Sequence, residues 1–261
     1  MEQPSKRKLK ANTELVTSLT RETITELYNL YSLYYENVQL DQFTSDLLKK
    51  MKIIIMRNPK KEICGFSTIT FFSLDDHPEK PYCIYSGDTI IHQDYWGTSA
   101  LTIEFLKNIM LAKLQNPFKP VWWFLISKGY KTYLLLANNF HEYYPRVNVN
   151  TPSDKLNIIE SLSEKIYPNC FSRETGIISF DDDNHERLKQ FVAPITDQIT
   201  AKNKKIKFFQ DSNPNWEKGD ELACIGKVSL ALGFTHPYKV IMKPLKKKYR
   251  VTLDKLLKIN L

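Results

Sequence analysis

Hydrophobic positions along the chain change period several times, and each change marks an expected element. From Thr20 onward, Ile24, Leu27, Leu30, Tyr31 and Tyr34 recur at steps of three and four, the spacing of one helical face. Thr20 suits the cap of that helix and Glu22 its first turn, where backbone N–H groups lack partners. A shorter helix is expected over 41–50. Two β-rich runs follow, 52–57 and 62–73. Between them Asn58-Pro59-Lys60-Lys61 predicts the turn of an antiparallel hairpin, and Gly65 interrupts its second arm. A third β run, 82–92, breaks off into Gln93-Asp94-Tyr95-Trp96-Gly97-Thr98-Ser99-Ala100. Beyond it Leu101, Phe105, Ile109 and Ala112 mark a helix ending near residue 114. Pro117 and Pro120 separate that helix from Val121-Trp122-Trp123-Phe124-Leu125-Ile126, which reads as a central strand buried on both faces. Past residue 150, helices are expected over 154–166 and 183–199, the second started by Asp181, Asp182 or Asp183. Strands are expected over 176–180, 222–225 and 238–243, a loop over 208–216, and a basic amphipathic helix over 251–261.

Composition narrows the classes this pattern allows. With 42% hydrophobic and 25% charged residues the chain matches globular averages, which removes disordered, collagen-like and coiled-coil readings. The longest apolar run, 121–126, is far short of the roughly 20 residues of a membrane-spanning helix. Residues 1–14 are basic but lead into no apolar stretch of the kind a secretory signal needs, so a cytoplasmic location is expected. Cys64, Cys83, Cys170 and Cys224 stand far apart without a Cys-x-x-Cys pair, which points to plain thiols rather than disulfides or a zinc site. Asp181-Asp182-Asp183 lacks the further oxygen ligands of a calcium loop, and no metal is expected.

The net charge of +8 sits at the ends. Residues 1–10 hold four basic side chains against one acidic, and residues 239–261 hold eight against one, which leaves the 228 residues between them at −2. A nucleic-acid binder built around a basic groove is not what this distribution describes. The Lys246-Lys247-Lys248 run reads as a solvated face, or as a docking patch for an acidic partner such as an acyl carrier protein.

The order strand, helix, helix, three strands, sharp loop, helix, buried strand, aromatic helix over residues 13–146 resembles the GNAT acyltransferase superfamily. The resemblance implies an α/β (α+β mixed sheet) core that splays open beside its fourth strand. It also implies a loop-to-helix turn that binds the pyrophosphate of coenzyme A. The physics of such a turn is general: the first turn of a helix has unpaired N–H groups and a partial positive charge. The family pattern is Arg or Gln, two residues, Gly, one residue, then Gly or Ala. It falls here on Trp96, Ser99 and Leu101, or on Tyr95, Thr98 and Ala100. The carrier-binding residues implied are therefore Trp96, Gly97, Thr98, Ser99 and Ala100, together with Asn138 on the following helix. The plain structural alternative is a tight connection with Gly97 in the turn and Thr98 or Ser99 as N-cap.

Acyl transfer to an amine needs a base and a means of stabilising an oxyanion. His92 and Asp88, just before the loop, and His141 and Glu142, after the fifth strand, are the candidate bases, with His92 and Asp88 preferred; backbone amides over 90–92 are the candidate oxyanion donors, and Tyr144 is the implied proton source for the departing thiolate. Two further stretches carry candidate chemistry: Ser127-Lys128-Gly129-Tyr130-Lys131-Thr132-Tyr133, followed by Asn138 to Pro145, and Asn213–Leu222, whose two carboxylates beside a Gly suit either a polar amine site or a turn ahead of a strand. The chain is thus expected to comprise a basic N-terminus (1–12), a GNAT-like core (13–150) and an appended α/β region (151–261) completing or covering the cleft. The expected reaction moves an acyl group from acyl-CoA or an acyl carrier protein to a small-molecule amine. The alternative is a non-enzymatic binding protein on the same fold without the carrier site.

Overall fold

The computed structural model describes residues 9–180 and 186–232. In chain order the elements are β1 (Lys10–Leu15), α1 (Arg21–Ser32), β2 (Tyr35–Glu36), α2 (Leu40–Leu48), β3 (Lys52–Arg57), β4 (Ile63–Ser73), β5 (Tyr82–Ile91), α3 (Ala100–Gln115), β6 (Val121–Ser127) and α4 (Tyr130–Asn139). They continue with β7 (Tyr143–Tyr144), α5 (Ser153–Ile166), β8 (Phe171–Ser172), β9 (Ile177–Ile178), β10 (Arg187–Leu188), α6 (Asp197–Lys202), α7 (Lys204–Ser212) and β11 (Glu221–Lys227).

Nine strands form one mixed sheet in the order β1-β3-β4-β5-β6-β11-β9-β8, with β7 also on β11. Only β5 and β6 run parallel; the other pairings are antiparallel. The strand β11 lies between β6 on one side and β7 and β9 on the other, so the sheet takes strands from both sides of residue 150.

Both faces of the sheet are covered, which is why its central strands read as unbroken apolar runs rather than alternating ones. Ile53 and Ile55 of β3 meet Leu27, Tyr31 and Phe43 of α1 and α2, whereas Ile54 and Met56 meet Leu101 and Ile109 of α3 on the opposite face. Trp122 and Phe124 of β6 pack beneath Ile158 and Leu162 of α5; Trp123 and Leu125 pack with Leu136 of α4 and Phe209 of α7. The period-two alternation of strand side chains thus sorts one run into two cores. Thr20 caps α1 as its sequence suggests, its hydroxyl accepting from the Thr23 amide at 3.3 Å.

Two expectations are corrected. No helix occupies 186–196: this stretch holds β10 and turns. The positions Leu188, Phe191, Val192 and Ile195 mimic helical spacing, but Pro194 stands within the run and removes a helix-interior N–H. The loop expected over 208–216 is helical as far as Ser212, because α7 begins at Lys204, with the Asn203 side chain accepting from the Lys205 amide at 3.0 Å. The segments 238–243 and 251–261 lie outside the described residues. No helix among the described residues is long and apolar enough to cross a membrane.

Gly226 of β11 shows how tightly the α4 side packs. A Cβ there would stand 2.4 Å from Leu136 Cδ1 and 2.8 Å from Phe140 Cδ1, both in buried side chains. Gly226→Ala is expected to destabilise the fold by about 1–3 kcal/mol through overpacking, read as a lower urea midpoint at unchanged m-value. An unchanged midpoint would show that this face is looser than described.

Candidate functional site

The parallel ladder between β5 and β6 runs from Tyr82↔Val121 to Ser86↔Leu125 and stops. Both strands continue, β5 to Ile91 and β6 to Ser127, so the sheet opens there into a V. Its cause lies on the other edge of β5. Pairing with β4 steps from Ile69↔Ser86 to Ser67↔Thr89, so Gly87 and Asp88 together oppose Thr68. A two-against-one bulge bends the bulged strand and increases its twist. Residue 87 has to be small, since a Cβ there would lie 2.6 Å from Thr68 Oγ1. The Ser67 and Thr89 hydroxyls, 2.7 Å apart, fix the register beyond the bulge, and Trp123 Nε1 donating to Ser86 Oγ at 2.8 Å fixes it before.

A polar chamber occupies the face of this V toward α1, α2 and α5. Lys128, directly after β6, is only 8% exposed; its ammonium lies 2.8 Å from Glu186 and 3.6 Å from Glu221. It also sits 5.3 Å from the ring centre of Tyr35, which stacks on Tyr31 at 4.2 Å. Lys50, just past α2, reaches over Tyr85 at 4.8 Å. Asp88 is half-buried at the bulge, within the electrostatic reach of Lys50, Glu186 and Lys128. The hydroxyls of Thr68 and Thr70 on β4 are buried and have no hydrogen-bond partner, polar capacity that a ligand or water would satisfy.

Burial governs the protonation of this chamber. It raises the Asp88 carboxyl, an effect that Lys50 opposes and Glu186 reinforces. It pushes Glu221 up to about 7 even though Lys128 pulls it down, with Glu186 and Asp88 adding to the rise. Burial also acts to discharge Lys128, yet Glu221 and Glu186 hold it charged, above the ordinary lysine range. Tyr31, Tyr35, Tyr85 and Tyr167 are all raised, by burial first, and keep their protons. Glu221, raised to about 7, is thus the carboxyl poised to exchange a proton near neutral pH, the property of a general base or acid. Thiols are poorly suited to that work here: burial pushes Cys64 to about 11 and Cys83 to about 12.

The other sequence candidates are dispersed. Gly97 takes a positive φ of 78°, and Ser99 stands at the N-cap of α3 without a side-chain cap bond. The amides of Ser99, Ala100, Leu101 and Thr102 donate to no backbone carbonyl among the described residues, as at the first turn of a helix generally. Thr98 Oγ1 contacts Met56 Sδ at 4.0 Å. Trp96 Nε1 donates to the Ile91 carbonyl at 2.7 Å, and Lys131 stands over its ring at 4.5 Å. His92 accepts from the Asp94 amide at 3.3 Å and faces a shallow depression between α1 and the β3–β4 turn, with Glu26, Asn29 and Lys60; the groups acting on Asp88 do not include it. Its own amide is taken by the Cys64 carbonyl. Asn138 lies in the last turn of α4 and accepts from Lys205 Nζ at 2.9 Å, facing α7. Tyr144 is in β7, across β11 from β6, packed in the core beneath α5. Of His92, Asp88 and Tyr144, only Asp88 is in the chamber; Glu221 and Lys128 join it from the two further stretches.

Residues 187–193 cross the mouth of the V. β10 pairs with β2, and the Lys189 amide donates to the Tyr34 carbonyl at 2.9 Å. Leu188 Cδ1 and Ala193 Cβ stand 3.1 and 3.2 Å from where a Cβ on Gly129 would be, and Lys131 donates to the Val192 carbonyl.

No family model matches the chain and no curated protein matches it. Among solved structures it is similar to a GNAT-family acetyltransferase from Staphylococcus aureus MU50, at 16% identity over 55% of this chain and 90% of that one, with a TM-score of 0.36. An aminoglycoside acetyltransferase from an uncultured soil metagenomic sample gives 10% identity, 56% and 98% coverage and a TM-score of 0.39. Arabidopsis thaliana NAA60, solved with a bisubstrate analogue, gives 9%, 53% and 90%, and 0.37. These likenesses concern fold alone. The described residues form a mixed α/β fold around one nine-stranded sheet.

The Glu221 carboxyl gives the chamber a pH signature. Its folded pKa of about 7 lies above the ordinary 4.5, so its contribution to stability is full below about pH 4.5 and is lost as pH rises through about 7. Glu221→Gln removes this titration. Between pH 5 and 8 the variant is expected to lose less stability than the wild type, by up to ~3 kcal/mol, measured by denaturant unfolding across that range. Parallel curves would show that Glu221 ionises normally.

Proposed function

We propose that this chain is an acyltransferase that moves an acyl group from a thioester, on coenzyme A or an acyl carrier protein, to an amine. The observation that carries the reading is the β5 bulge, which opens the sheet and places Asp88 at the opening beside Glu221 and Lys128. In this reading the free amides of Ser99 to Thr102 hold the carrier's phosphates. The thioester carbonyl lies along the unpaired edge of β5, where backbone N–H groups stabilise the oxyanion. Asp88 or Glu221 takes the proton of the attacking ammonium. As the tetrahedral intermediate collapses, the C–S bond breaks, and the proton released by the amine leaves with the thiolate.

One observation favours the second reading, a binding protein without a carrier site: residues 187–193 fill the mouth of the V. The two readings separate in one experiment. Thermal shift is run against acetyl-, octanoyl- and palmitoyl-coenzyme A and an acylated carrier protein, alongside hydrogen exchange at the Lys189 amide. The acyltransferase reading expects stabilisation of about 2.7 kcal/mol at 100 times the dissociation constant, faster exchange at Lys189 as the strap yields, and loss of the coenzyme A effect in Ser99→Glu. A folded protein that no donor stabilises, with Lys189 protected throughout, is the outcome of the second reading.

A further inference from the structure

The chamber already holds two alkylammonium groups of its own, and they differ in a way that matters. Lys128 is almost fully buried and locked between two carboxylates. Lys50 is half-buried and enters from the end of α2 on a backbone pinned at both sides: its own amide donates to the Leu47 carbonyl at 2.9 Å and that of Met51 to the Ile69 carbonyl of β4 at 3.2 Å. From there its side chain is aimed at the bulge. Its Cε stands 3.5 Å from where a Cβ on Gly87 would be, its ammonium lies over the Tyr85 ring, and Asp88 feels its charge directly. A primary amine is thus held on an aromatic face, within electrostatic reach of the half-buried Asp88 carboxylate, at the point where β5 leaves the ladder. That is the arrangement an amine acceptor would need.

We propose that the Lys50 ε-amine is itself an acyl acceptor, so that the protein modifies its own chain at this position. The proposal rests on the acyl-transfer reading and adds a substrate to it. Asp88 takes a proton from the Lys50 ammonium, and the freed nitrogen attacks the thioester carbonyl. The N–C bond forms, the C–S bond breaks, and the thiolate departs and is protonated. The product is a neutral amide on Lys50 and a free thiol. Acylation also deletes the cation that opposes the burial of Asp88, so an acylated chain carries a chamber of altered charge.

Lys49, the next residue, provides an internal control: it is exposed, its ammonium 2.7 Å from Asp46 on the surface. Uncatalysed acylation in solution would favour it over Lys50. The test incubates the full chain with isotope-labelled acetyl- and octanoyl-coenzyme A and with an acylated carrier protein, and quantifies label at each lysine by tandem mass spectrometry. The expected result is at least tenfold more label on Lys50 than on Lys49, at a rate independent of protein concentration, and falling at least tenfold in Asp88→Asn. The selectivity and the concentration independence are read on the wild type, so the test stands even if that variant does not fold. Equal labelling of the two lysines, or a rate rising with protein concentration, overturns the proposal. Release of coenzyme A in the presence of spermidine without label on Lys50 overturns it while leaving acyl transfer in place. Absence of label together with absence of any thermal shift ends both readings.

Discussion

Two residues of one strand facing one of its neighbour is the constraint on which the rest of this site depends. The step at Gly87 and Asp88 opposite Thr68 turns the far end of β5 away from β6. Without it the parallel ladder would run on past Ser86↔Leu125, and the sheet would close over the space where the chamber lies. The cost is local and visible. Gly87 can hold no side chain, and the Thr68 hydroxyl is left buried without a partner. Bulges are treated as built features because they re-aim side chains at functional places. Here the re-aimed side chain is a carboxylate.

Stability alone does not explain what the opening contains. Desolvating ions costs more than their attraction usually returns, so a buried ion pair is weak evidence for a gain in stability. The chamber goes further, gathering three carboxylates around two ammonium groups with four tyrosines among them. Burial then favours a proton on one of the carboxyls, and Glu221 is the one raised to about 7. A packed apolar core of the same volume would serve the fold better. The protein's packing elsewhere bears the cost of this arrangement.

Much of the scaffold was legible in the sequence because its signals are local. The three- and four-residue spacing of Ile24 to Tyr34, the turn at Asn58 and the unbroken run 121–126 each depend on neighbours in the chain, and the structure follows them closely. The site was legible only in fragments. Asp88, Lys128 and Glu221 lay within stretches with candidate chemistry, but nothing local says that they meet Lys50, Tyr35 and Glu186. Their meeting is a consequence of strand order. His92 is only four residues from Asp88, yet a bulge and the end of a strand separate their surroundings. In α7 the density of lysines around Ile206 and Phe209 hid an amphipathic helix, while helical spacing across Pro194 suggested one that the backbone cannot make.

The path of the chain explains why so much of the site comes from far along the sequence. The polypeptide passes from β7 through β8 and β9 to β11, which pairs with β7 and β9 on one edge and with β6 on the other. The stretch from Pro145 to Asp220 thus begins and ends beside β11, and its β8 and β9 extend the same sheet. It contributes Glu186 to Lys128, the strap over the V, and α5 as the roof of one core. The sheet fixes where the V opens. The later stretch stands at that opening, with Leu188 and Ala193 against Gly129 and the Val192 carbonyl accepting from Lys131.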